Sequence, residues 1–583
     1  MMASKFEATG YAARLATMTR LVLAPDRAFF WQAIVFGVAI SVLTLAVPIS
    51  VQILIGSVAN TALLRPVVVL GIVLLALLAL YGLLIGAQAH LMDVFERRLF
   101  ARVTQEIALR SIHARYADVE AVNREELANR FFEIVTIQRN MPSLVINGSA
   151  MVLQTIVGVA VVSAYHPVFL MFNMVVLLLV YLGWKVWAGG AIRSKLAASY
   201  AKFQVAHWLE ELARANAFFK SARTVRFAVR ESERVIAEYV QAHRRHFRFK
   251  FAQQIAFLAL YAIASAALLG MGGWLVIESE LTLGQLVAAE LILSAVFISI
   301  ARVSTMLEEL YEVCAALYKL GDFFELPLET PVTGEPLPAG PAGLSFDAAV
   351  TVHRDREFRL DLAIPAGAKV LAVVESYSLQ KRMLDLVLAH VEPLRGAVLF
   401  AGRNIADLNR HALRDGIAVV DNSGVLERTL EENLGLGDPT ITRAAMRDML
   451  DLVGLEAVVN ALPEGLETPL GAFGYPLSRS ETVRLKIAAA LLARPRLLVL
   501  TQIFDTLAPR HRRTILEHIS CDPTLTLLNF SNRRDVQRYD HYLFVEPATH
   551  HAFARMSDLL AFERAREGSL ASAPGDPPPG GSA

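Results

Sequence analysis

Six long apolar runs fill the first half of the chain, near 29–57, 64–92, 143–165, 167–188, 253–277 and 283–304. Most exceed the roughly 20 residues an α-helix needs to cross about 30 Å of hydrocarbon, so the pattern predicts six transmembrane helices. Short connections join these runs in pairs. The two long polar intervals, 94–140 and 190–250, keep apolar residues three and four positions apart, as in Phe95–Leu99–Val103 and Trp208–Leu212. That spacing is a helix period, so the spanning helices are expected to run on well beyond the bilayer.

After Phe324 the pattern breaks in a Pro/Gly-rich stretch from Leu326 to Pro341, which holds neither helix nor central strand and reads as a linker. Short β-rich runs follow at Val370–Val374, Ala397–Phe400, Ile417–Val420, Leu497–Leu500, Leu525–Asn529 and His541–Val545, with helical stretches at 441–453 and 479–493 between them. Alternation of this kind predicts an α/β domain with a mainly parallel sheet. The expected division is an N-terminal segment 1–28, a six-helix membrane domain 29–310, a helix extension and linker 311–340, an α/β domain 341–560 and a disordered low-complexity tail 561–583.

Composition sharpens this division. Of 583 residues, 55% are hydrophobic and 19% charged, below the roughly 25% charge of soluble domains. The 56 Lys+Arg balance 55 Asp+Glu, so no basic excess points to nucleic acid. Cys314 and Cys521 stand far apart and indicate neither a disulfide framework nor a thiolate zinc site. Arginines concentrate between the second and third runs (Arg97, Arg98, Arg102, Arg110, Arg115, Arg124, Arg130, Arg139) and from Arg193 to Lys250. By the positive-inside rule these stretches, the N-terminus and everything past about 305 are expected on the cytoplasmic side of the membrane. Interleaved carboxylates such as Glu96, Glu125, Glu126, Glu133, Glu210 and Glu231 read as solvated helix faces with i,i+4 pairs. Glu290 is the one carboxylate well inside a spanning run.

Three local runs in the second half carry a resemblance: the segment Leu462 to Ser478, the strand Arg494-Pro-Arg-Leu-Leu-Val-Leu500, and Thr429-Leu-Glu-Glu-Asn433. They resemble the run into the signature motif, the Walker B strand and the segment after the Q-loop of ATP-binding cassette (ABC) exporters, in that family's order and at about its spacing. The resemblance covers nearly the whole chain from 29 to 560. It implies a half-transporter: a membrane domain of six transmembrane helices followed by a P-loop-NTPase-like α/β cassette domain.

The residues that would handle ATP depart from the family's pattern. A P-loop, G-x-x-x-x-G-K-[ST], needs glycines so that backbone N–H groups close around phosphates, and a hydroxyl to hold Mg²⁺. After Val374 this chain reads Glu375-Ser-Tyr-Ser-Leu-Gln380-Lys381-Arg382, keeping only the lysine, and Lys381 is expected to pair with Glu375. The two carboxyl-bearing positions after the Walker B strand are Thr501 and Gln502. The Q-loop glutamine aligns with Asn422, the D-loop aspartate with Ala508, with Asp505 lying three residues early, and the switch histidine with Ser531 or Asn532. The signature Leu-Ser-Gly-Gly-Gln becomes Leu477-Ser478-Arg479-Ser480-Glu481. No complete P-loop motif occurs elsewhere in the sequence.

These departures imply a degenerate nucleotide-binding domain, with no catalytic or metal-ligating residues and no ATP hydrolysis by this chain. ATP and Mg²⁺ are expected only where a partner cassette binds them. The reading is a catalytically impaired half-transporter, the non-hydrolysing subunit of a dimeric exporter in a bacterial inner membrane. It would contact lipid and pair with a second copy or with a motif-intact half-transporter. The alternative is a membrane-anchored pseudo-transporter acting as receptor, regulator or assembly scaffold.

Overall fold

The computed structural model describes residues 8–60, 64–121, 131–329, 334–353, 356–534 and 539–571. Arg124, Arg130, Glu125, Glu126 and the tail from 572 lie outside them. The chain divides into two compact units, Met1–Glu329 and Thr330–Ala583.

The first unit is helical: α1 (Ala8–Leu23), α2 (Arg27–Leu43), α3 (Ala46–Asn60), α4 (Leu64–His113), α5 (Phe131–Ser163), α6 (Pro167–Arg214), α7 (Ala222–Ile277) and α8 (Leu283–Phe324). Among the described residues six helical spans are long and apolar enough to cross a membrane, the first running from Ala13 in α1 through α2 to Ser57 in α3. That first run is interrupted at Thr44 and Leu45. Pro48 supplies the cause, because its ring collides with the carbonyl four residues back and it has no N–H to donate. Where polarity rises the helices continue, as predicted. One buried cluster lies among the apolar spans (Val162, Phe169, Leu268, Ile292, Phe297) and a second among the extensions (Met92, Phe95, Leu99, Ile134, Leu317).

The second unit holds two sheets. Strands β1 (Leu344–His353), β2 (Arg356–Ile364), β4 (Arg395–Phe400) and β5 (Arg403–Asn404) form a small antiparallel sheet. The run Ala397–Phe400 therefore belongs here and not to the parallel sheet. The larger sheet has the order β10-β9-β3-β8-β7-β6, from β3 (Lys369–Val374), β6 (Ile417–Val420), β7 (Leu497–Leu500), β8 (Thr526–Phe530), β9 (His541–Val545) and β10 (His550–Phe553). Only β10 runs antiparallel in it.

Side chains alternate across β3. Val370, Ala372 and Val374 join one core with helix α9 (Tyr377–Val387) and the antiparallel sheet, whereas Leu371 and Val373 join another with α10 (Arg479–Leu492) and α11 (Pro509–Cys521). A parallel sheet buried on both faces explains why its strands read as continuous apolar runs.

The expected disorder from 561 is corrected over its first part. Helix α12 (Met556–Ala571) extends through it, because the Phe562 ring packs edge-on against Phe544 and tilted against Phe553, each at 5.4 Å between centroids, and Glu563 pairs with Arg534.

Candidate functional site

Parallel strands bring whatever follows their C-terminal ends to one edge of the sheet, the usual ligand edge of open α/β folds. Here Val420 lies opposite Leu500, Leu500 opposite Asn529, and Ala372 opposite Phe530. Glu375, Asn422, Thr501 and Ser531 consequently emerge together. Arg479 and Ser480 open α10, and Arg479 Nη2 donates to Asn422 Oδ1 at 3.0 Å, joining the signature position to the Q-loop position.

The turn after β3 consists of Glu375 and Ser376 alone, and the helix begins at Tyr377. Ser376 caps it, its Oγ accepting from Leu379 N at 3.3 Å, while Gln380 N donates to Ser376 O at 3.2 Å. The amides of Leu379 and Gln380 are thus spent inside a helix turn, where a P-loop would aim amides at phosphate oxygens. Gln380 is buried, and Arg382 donates to His353 Nδ1 at 2.6 Å and lies 3.3 Å from Asp385. The expected Lys381–Glu375 pair does not form. Lys381 sits one turn into α9 and lies 3.8 Å from Asp385. Glu375 instead takes Arg566 of α12 at 3.1 Å, and Arg566 also holds Glu546 at 2.6 Å and lies over the Phe544 ring.

Most of the remaining positions are bonded to neighbouring side chains and backbone groups of the same edge. Thr501 is buried and its hydroxyl donates to Val420 O at 2.9 Å, while Gln502 begins a short 3₁₀ turn. Ala508 precedes Pro509 and offers no capping side chain. Asp505 accepts from Ser531 Oγ at 2.7 Å and from Asn532 N at 3.0 Å, linking the segment after β7 to the segment after β8. Lys486 of α10 donates to Asp421 O at 2.6 Å, Asp421 Oδ1 at 3.0 Å and Ser423 Oγ at 2.9 Å. Burial works against ionising Asp421, yet Ser423 and Lys486 hold its carboxyl below the usual range. Sequence reasoning missed Lys486, Asp421 and Arg566. It noted Asp505 only as a displaced aspartate, since no local pattern reports a partner 26 residues away.

No family model matches the chain. A toxin RTX-I translocation ATP-binding protein of Actinobacillus pleuropneumoniae is 23% identical over 394 residues, which is 65% of this chain and 55% of that protein. The leukotoxin export protein LtxB of Aggregatibacter actinomycetemcomitans is 24% identical over 51% of this chain and 43% of its own length. The leukotoxin translocation protein LktB of Mannheimia haemolytica is 26% identical over 50% and 43%. The chain thus spans about half the length of the curated relatives it matches. A solved bacterial Atm1-family ABC exporter, with ATP bound in that structure, superposes with a TM-score of 0.79 at 17% identity, over 94% of this chain and 100% of that one. The fold is that of an ABC exporter.

Within the membrane unit of this ABC-exporter fold, the polar groups gather beyond the apolar spans. Lys195 of α6 lies 2.9 Å from Glu308 and 2.7 Å from Glu312 of α8, and Lys250 of α7 lies 3.1 Å from Glu308. Burial opposes the charge on Glu308, but His246, Lys195 and Lys250 hold its carboxyl far below the usual range. Lys195, His246, Glu308 and Glu312, with Arg139, Lys202 and Glu133, line a cavity of about 310 Å³. Glu133, read from sequence as part of a solvated face, is buried and paired with the fully buried Lys319 of α8. Elsewhere the helical ion pairs do form, as in Arg97–Asp93, Arg110–Glu106 and Arg234–Glu231. Inside the span, Glu290 accepts from Ser294 Oγ at 3.0 Å.

Proposed function

We propose that this chain is the non-hydrolysing half of a dimeric membrane exporter, its cassette on the cytoplasmic side, paired with a second copy or a motif-intact half-transporter. The observation that carries the reading is the turn after β3: two residues long, closed by the Ser376 cap, with helix from Tyr377. Neither a phosphate cradle nor a Mg²⁺ hydroxyl is available there, and Arg382 at the hydroxyl position is taken by His353 and Asp385. Thr501 and Gln502 supply no carboxylate to hold a metal or polarise a water, which leaves phosphoryl transfer without its usual parts. The bonds from Lys486, Asp505 and Arg479 tie the edge together by side chains alone. The names of the relatives, translocation and export proteins, support transport as the process, and the arginine-rich extensions support the orientation.

The test is Mg-ATP added to the purified full chain in lipid. A cassette with an ordinary site gains about 2.7 kcal/mol at a hundredfold excess over Kd, enough to move the melting midpoint by several degrees. This chain is expected to show no shift and no turnover; saturable micromolar binding would overturn the reading.

A further inference from the structure

The charge balance of the whole chain conceals one segregated region. Over 167–209 of α6 and 239–277 of α7 there is no Asp or Glu, although 56 basic and 55 acidic residues share the sequence. Gly183 of α6 meets the Phe257 ring of α7, and Gly190 meets Phe249, so the helices run side by side in opposite directions and their apolar spans end at one level. Just beyond that level lie Arg193, Lys195 and Lys202 on α6, and His243, Arg244, Arg245, His246, Arg248 and Lys250 on α7. Lys195, Lys250 and His246 turn inward to Glu308. Arg244, Arg245 and Arg248 are exposed, and among the described residues none has an ion pair or hydrogen bond.

Arg244, Phe247, Arg248, Phe251, Ile255 and Leu258 recur at three- and four-residue steps and share one face of α7. Phe247 and Phe251 are each 51% exposed and stack at 5.6 Å with 25° between their planes. Ile255 and Leu258 continue the exposed face into the span. One face therefore passes from guanidinium to aromatic ring to aliphatic chain over about 20 Å of helix, at 1.5 Å per residue. A bilayer leaflet has the same sequence of environments: phosphate, the interfacial belt where aromatic rings collect, then hydrocarbon. Arginine matches a phosphate diester in geometry as well as charge.

We propose that Arg244, Arg245 and Arg248 bind the headgroups of anionic phospholipids at the foot of the α6–α7 pair, with Phe247 and Phe251 as the interfacial anchor. The site is independent of whether the cassette hydrolyses ATP. The test uses the full chain in phosphatidylcholine nanodiscs with and without phosphatidylglycerol, reading the melting midpoint and the number of phosphatidylglycerol molecules retained on extraction, by native mass spectrometry. Each cation at a membrane surface is worth about fivefold in affinity, so R244Q/R245Q/R248Q should weaken retention on the order of 100-fold. R244K/R245K/R248K should keep most of it, and R223Q/R226Q/R230Q, far along α7 from the span, should leave it unchanged. Wild-type retention should fall as salt rises, which tests the proposal even where the glutamine variant fails to fold. Equal retention by the folded glutamine variant, equal loss in the distal variant, salt-independent retention, or the same midpoint rise from inorganic phosphate in phosphatidylcholine alone would each overturn it.

Discussion

At the scale of single residues, burial decides which groups are reactive and which are structural. Burial pushes the Cys314 thiol up to about 11, whereas Cys521 is exposed. A maleimide at pH 8 should therefore modify Cys521 in the native protein and reach Cys314 only after denaturation, a difference that peptide mapping reads directly. The Lys319–Glu133 pair offers a sharper case, since both side chains are buried among helices α5, α6 and α8. Lys319→Ala leaves a buried carboxylate without its cation and should cost about 3–5 kcal/mol in a denaturation series, while K319M/E133L should recover most of that loss. Asp421 gives a pH signature. Its carboxyl is held below the usual range, so its contribution is present above the unfolded value near 3.9 and is lost as pH falls through the folded value. Because the side chain is 46% exposed, the contribution stays below about 1 kcal/mol. The stability gap between wild type and Asp421→Asn should narrow from pH 6 to pH 3.

At the scale of elements, the turn between β3 and α9 sets the chemistry of the sheet edge. Removing the Ser376 cap by Ser376→Ala should destabilise the cassette by about 1 kcal/mol. Restoring P-loop residues by E375G/Q380G/R382T should destabilise it further, since a glycine inside a helix costs about 1 kcal/mol and the ion pair with Arg566 is lost. Thermal unfolding of the variants checks both. The long helices, the linker and the parallel strands were legible because their periods repeat over many residues. The break before α3 was legible in principle from Pro48 but was hidden by uniform hydrophobicity on either side. Strands β1 and β2 escaped notice because Asp347, Thr351, Asp361 and the arginines interrupt their apolar positions. Among the candidate-site residues, the substitutions themselves stood in plain view. The contacts these side chains make did not, because Glu375 with Arg566 is a pair 191 residues apart and periodicity reports only neighbours. Lys381 was assigned to Glu375, which shares its motif, yet one turn of helix placed Asp385 within its reach instead.

At the scale of the whole molecule, each compact unit has cores of its own, and the two clusters flanking the large sheet draw only on residues from Leu337 onward. A fragment starting at 334 should fold alone into an α/β domain with one cooperative transition by circular dichroism, and the same Mg-ATP titration applied to it should stay flat. The order of strands in that sheet also governs the birth of the protein. Strand β3 is flanked by β8 and β9, and Glu375 is held from Arg566. A ribosome adding about 5–20 residues per second needs on the order of 10–30 s to travel from the end of β3 to the end of β9. Until β8 and then β9 emerge, the buried strand Lys369–Val374 lacks its neighbours, while the spanning helices are already made. Chaperone occupancy during translation should consequently peak over the cassette's middle third and collapse once His541–Val545 has emerged.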